Sequence, residues 1–92
     1  MSAQAQTRSP SEQRGFRLAM TYCARCHSID RLSESPLSVA PPFRTLHYRY
    51  PVETLQEALG EGIVTGHPTM PEFRLASDQI TDFIAFLKTL ER

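Results

Sequence analysis

Five consecutive residues, Cys23-Ala24-Arg25-Cys26-His27, place two thiols and an imidazole side by side, and these are the only cysteines of the 92-residue chain. Two cysteines three apart with a histidine directly after them are the pattern for covalent haem attachment. The physical reason is reach. Two thiols at this spacing add to the two vinyl groups along one side of a porphyrin, and the adjacent imidazole then lies under the ring and coordinates iron. Three other readings use the same residues. A thioredoxin-like redox disulfide needs a βαβ setting, and no segment here reads as a strand. A zinc site would draw Cys23 and Cys26 together with two of His27, His47 and His67. Adjacent Cys26 and His27 poorly satisfy a tetrahedral site, however, and the later histidines lack a compact finger spacing. Chance occurrence is the last alternative. The spacing favours haem.

A six-coordinate electron carrier needs a second ligand opposite His27, usually Met or His. Of the three methionines, Met1 is at a ragged end. Met20 precedes Cys23 by one helical turn and is expected to face the core. Met70 sits in Gly66-His67-Pro68-Thr69-Met70-Pro71-Glu72-Phe73, where prolines on both sides fix φ and lower the entropic loss of holding a thioether in place. Met70 is the expected ligand, against the alternative of a gap-filling core residue. His67, in the same segment, is the rival, and His47 a weaker one.

Helices must deliver these groups. Ser9-Pro10-Ser11-Glu12 is a helix start: Ser9 caps, Pro10 fits the first helical position, and Glu12 completes a capping box. Gly15/Phe16, Ala19/Met20 and Cys23 then recur every three to four residues, predicting a helix from about Pro10 to Ala24. Residues 28–42 hold Pro36, Pro41 and Pro42 and read as a loop. A short helix is expected over Phe43–Arg49. Another opens at Pro51, with Val52, Leu55 and Leu59 on one face, and ends at Gly60 or Gly62. A second loop spans 63–76, long enough in so small a domain to suggest function. The last helix begins at Ser77 as cap, with Asp78 in its first turn and Ile80, Phe83, Ile84, Leu87 and Leu90 as its apolar stripe. The chain is expected to be all-α, with residues 1–9 a flexible tail and 10–92 one domain.

Composition limits the function classes. Ten basic and ten acidic side chains cancel, and nine of the basic ones are arginines scattered along the sequence. A nucleic-acid reader usually shows a basic stripe or cluster instead. No stretch approaches the roughly 18–20 apolar residues that span a bilayer. With 40% apolar residues and no Trp, a buried prosthetic group would help to fill the core. Ala3-Gln4-Ala5-Gln6 looks like what remains near a signal-peptidase site, so a natural leader is expected to have been cut away, with Met1-Ser2 an expression addition.

Taken together, these residues resemble the class I cytochromes c, especially the small monohaem cytochromes of bacteria, over about residues 10–91. The resemblance implies three main helices plus short helical turns packed around one haem c. It implies thioether bonds at Cys23 and Cys26, with His27 and Met70 on iron. Pro41, in Ala40-Pro41-Pro42-Phe43, matches the family proline whose carbonyl accepts the proton of the histidine's far nitrogen, a contact that orients the ring and tunes its basicity. Gly15 matches the glycine where the terminal helices cross, with Phe86 or Phe83 as aromatic partner. Two positions depart from the pattern: Ala19 replaces a frequent aromatic residue, with Phe16 standing in, and Ala40 replaces glycine. The motif's position near the N-terminus also separates the chain from the four-helix cytochromes c′.

By the same resemblance the protein is a soluble, monomeric, periplasmic single-electron carrier rather than an enzyme, passing electrons between redox proteins with no nucleic acid involved. The alternatives are a haem enzyme or gas sensor with a labile or open distal site, and the haem subunit of a larger dehydrogenase.

Overall fold

The computed structural model describes residues 8–61 and 74–91, and every regular element among them is helical. Helix α1 runs over Pro10–Tyr22. Its start is held by the reciprocal bonds of the capping box: Ser9 Oγ accepts from Glu12 N at 3.1 Å, and Ser9 N donates to Glu12 Oε1 at 2.9 Å. At the other end Cys23 caps the helix, and the amides of both Cys23 and Ala24 donate to Ala19 O at 2.9 Å. The sequence predicted an end at Ala24. The helix stops two residues earlier because two amides share one carbonyl and the chain turns there.

A 3-10 helix over Phe43–Tyr48 follows the proline pair. A 3-10 turn at Val52–Thr54 then runs into helix α2, Leu55–Glu61, with Val52 and Leu59 buried. Gly60 lies inside that helix rather than after it, and residue 62 is outside the described part. Helix α3 spans Ser77–Thr89. Its cap is Ala76, one residue before the predicted Ser77. Gln79 Oε1 accepts from Ala76 N at 2.9 Å, so a side chain in the first turn reaches back where no capping hydroxyl is present. The four apolar residues Phe83, Ile84, Leu87 and Leu90 are buried, and Ile80 packs against them.

The core is built where α1 crosses α3. A Cβ on Gly15 would stand 2.0 Å from Asp82 O and 2.8 Å from Phe86 Cβ, so only glycine permits this approach. Ala19 and Phe86 are fully buried at the same crossing. Phe16 stacks edge-on against Phe86, with ring centroids 5.6 Å apart. The two aromatic candidates on α3 thus have separate jobs: Phe86 packs at the crossing, and Phe83 packs on Phe43. A polar clasp flanks the crossing. Asp82 accepts from Ser11 Oγ at 2.6 Å and from Arg14 Nε and a second Arg14 nitrogen at 2.8 and 3.2 Å. Outside the helix, the Arg8 guanidinium lies 4.4 Å from the Phe16 ring centroid. Residues 1–7 of the expected tail lie outside the described residues.

Candidate functional site

Cys23 sits at the end of α1 and is 8% exposed. Burial alone pushes its thiol pKa up to about 12. Cys26 is half-buried and Arg25, between them, is exposed. The intervening turn is tight: the amides of Cys26 and His27 both donate to Cys23 O, at 3.1 and 2.9 Å. Leu37 N donates to Cys26 O at 3.1 Å, bringing the following loop back over the motif.

His27 is 9% exposed. Its Nδ1 lies 2.8 Å from Pro41 O. A carbonyl only accepts, so Nδ1 donates, and in the neutral ring Nε2 keeps its lone pair. This is the tautomer a metal ligand requires. The ring also meets Phe43 face to face at a tilt, with centroids 4.8 Å apart and planes at 34°. The arrangement fits a haem: two thiols and an imidazole on one tight turn, the imidazole already bonded through its far nitrogen and presenting the other.

The loop that closes this side is held by polar groups. Asp30 accepts from Leu32 N, Ser33 N and Ser33 Oγ at 2.7–2.8 Å. These bonds, those from Ser33 first, with a smaller contribution from the charge of Arg44, hold its carboxyl down to about 2. Arg44 donates to Ser33 O at 2.8 Å and to Ser28 Oγ and Asp30 O at 3.3 Å. Ser28 O accepts from Phe43 N at 3.0 Å. The loop after His27 is therefore tied twice to the Phe43–Tyr48 helix.

The structure thus brings Cys23, Cys26, His27 and Pro41 together. Met70 and His67 lie outside the described residues. Met20, expected to face the core, is 55% exposed: Gly15, Ala19 and Cys23 form the buried line of α1, and Met20 falls beside it. His47 lies on the 3-10 helix, stacked on Tyr48 with centroids 4.1 Å apart, its buried Nδ1 without a hydrogen-bond partner among the described residues. It does not join the cysteines, and among the described residues no three His, Cys, Asp or Glu converge as a metal-binding group. Among the described residues the zinc reading therefore gains no support. Phe43 is the residue that sequence reasoning missed. Its only signal was an aromatic side chain two positions after the candidate carbonyl.

Residues 12–91 match the family model described as Cytochrome c. No curated protein and no solved structure matches the chain. None of the described helices is long and apolar enough to cross a membrane. The family match covers most of the sequence and agrees with the all-helical architecture: this chain belongs to the cytochrome c family and carries covalently bound haem c.

Proposed function

We propose that this protein is a single-electron carrier whose one haem is bonded to Cys23 and Cys26 and ligated by His27 and Met70, serving redox partners in the bacterial periplasm. Haem-based electron transfer with redox partners comes with the family. The observation that carries the finer assignment is the His27 Nδ1–Pro41 O bond at 2.8 Å, within a Cys-x-x-Cys-His turn at the end of α1. When bound, the haem supplies an iron that alternates between ferric and ferrous states.

The protein's own residues set the terms of that exchange. Pro41 O holds the proton on Nδ1 and so keeps Nε2 available, while increasing the basicity of the imidazole. Burial of His27 and Cys23 keeps water from the attachment side, and exclusion of water favours the ferrous state. A thioether from Met70 would act in the same direction. Pro68 and Pro71 restrict the segment that carries it. Were His27 and Met70 both to hold the iron, no site would remain for a substrate, and the protein would be a carrier and not an enzyme. Partners would dock over the exposed haem edge beside Arg25, through an interface under about 1,200 Å² as suits transient redox encounters.

The test is an optical spectrum of the matured protein, oxidised and reduced. Sharp reduced bands with a weak far-red band in the oxidised form are expected from His27 and Met70, and Met70→Ala should remove the far-red band while the haem stays attached. A wild-type haem spectrum lacking that band transfers the distal role to His67 or to an open site. Absence of haem from protein made in a cell competent for its attachment defeats the assignment.

A further inference from the structure

We propose that Phe43 is a positioning residue for the haem: its ring fixes the plane of the His27 imidazole, and through Phe83 it links that plane to helix α3. The proposal rests on His27 being the iron ligand. A histidine ligand held by one hydrogen bond can still swing about the line between Nδ1 and its acceptor. The Pro41 bond fixes which nitrogen faces iron and leaves this rotation to packing. Phe43 supplies the packing, since its ring lies against the imidazole at 4.8 Å and 34°.

Phe43 is itself immobilised in three ways. It is buried. Its amide donates to Ser28 O at 3.0 Å, the carbonyl of the residue next to His27. Phe83 meets it edge-on, with centroids 5.9 Å apart and planes at 84°. A T-shaped pair of this kind sets the positive ring edge against the negative ring face and prefers that angle. The order His27, Phe43, Phe83 therefore runs from the candidate ligand to the middle of α3, and α3 is locked on α1 at the Gly15 crossing. Helix α3, remote in sequence from Cys23-Ala24-Arg25-Cys26-His27, acts on the angle of the axial ligand through two aromatic contacts.

With the distal ligand unchanged, the imidazole plane governs how unpaired spin is distributed over the four haem methyl groups of the ferric state, so proton NMR of the oxidised holoprotein reads a change in it. Phe43→Leu keeps an apolar side chain and removes the flat face. The expected result is a changed order and spread of the four methyl resonances and a shifted reduction potential, with haem still attached and the oxidised far-red absorbance unchanged. Phe43→Tyr keeps the face and should restore both readouts. A Phe43→Leu protein with a lower melting midpoint but wild-type methyl resonances and potential reduces Phe43 to a packing residue and overturns the proposal.

Should Phe43→Leu fail to fold, the reduced wild-type holoprotein provides the decision. Nuclear Overhauser contacts between the ring protons of Phe43 and His27 are expected, and their absence overturns the proposal. The ligand assignment is read separately. A His27→Ala protein with an unaltered haem spectrum defeats His27 as ligand, whatever the Phe43 variants do.

Discussion

The two ends of this molecule's architecture are held by opposite means. Where α1 crosses α3, backbone and ring atoms pack with no space for a methyl group at Gly15, and Ala19 and Phe86 are fully buried. Where the loop after His27 folds back, the chain is exposed, Leu32 reaches 91% exposure, and the shape is kept by Asp30, Ser28, Ser33 and Arg44. Packing is unforgiving of added volume and indifferent to pH. A network of charge-assisted bonds tolerates volume but depends on protonation and solvent. The candidate ligand lies between the two: His27 bonds to the loop at Pro41 and packs through Phe43 towards the crossing.

The largest effect should come from the crossing. In Gly15→Ala the new Cβ would meet Asp82 O at 2.0 Å, so the helices must separate. Overpacking typically costs 1–3 kcal/mol, and against two rigid backbones a loss of about 3 kcal/mol is expected. Denaturant unfolding of the holoprotein measures it. A loss below about 0.5 kcal/mol would mean that the close approach of α1 and α3 is not a determinant of stability.

Next is the clasp beside the crossing. Asp82 titrates below the ordinary carboxylate range, first because Arg14 bonds to it and then because Ser11 does. A depressed folded-state pKa gives stability that is present above the unfolded value, about 3.9, and lost as pH falls through the folded value. Asp82→Asn should cost about 1 kcal/mol at pH 6, modest because the Arg14 side chain is half exposed to water. The difference from wild type should shrink below pH 4 and be gone in strong acid. A constant difference across that range would exclude the charge as its cause.

In the loop the expected effect is local. Asp30 is fully exposed, yet its bonds to Leu32 N, Ser33 N and Ser33 Oγ hold its pKa at about 2. Protection of the Leu32 and Ser33 amides from hydrogen exchange, corrected for intrinsic rates, should persist at pH 5 and fall as pH approaches 2. Asp30→Ala should abolish it at every pH while leaving global unfolding nearly unchanged. Unprotected amides at pH 5 would show that the turn does not persist in solution.

These contrasts also account for what the sequence revealed. The start of α1 was legible because its cap is local: Ser9, Pro10 and Glu12 act within one turn. The grouping of Cys23, Cys26 and His27 on one turn was legible because they are contiguous, and Gly15 because the family pattern marks it. The end of α1, the Ala76 cap and the exposure of Met20 were misjudged because each depends on which neighbour captures a carbonyl or covers a face. The Phe43 contact was invisible for a stronger reason. It joins residues 16 apart in sequence and then reaches α3, 40 residues further on. No local periodicity encodes that.

The smallest effect is predicted for the one described ion pair remote from both regions, between Lys88 near the end of α3 and Glu53 in the 3-10 turn before α2. Each partner favours the other's charged form, raising the lysine pKa and lowering that of the glutamate. Both side chains are about half exposed, so water and salt screen the attraction, and ordering two long side chains offsets much of what remains. Lys88→Ala should leave the denaturation midpoint within measurement error at 0.15 M salt, with at most a small loss emerging at low ionic strength. A loss at 0.15 M as large as that of Asp82→Asn would show that position on the fold matters less than the presence of an ion pair. The contrast between a buried carboxylate at the crossing and an exposed one at the rim would then fail.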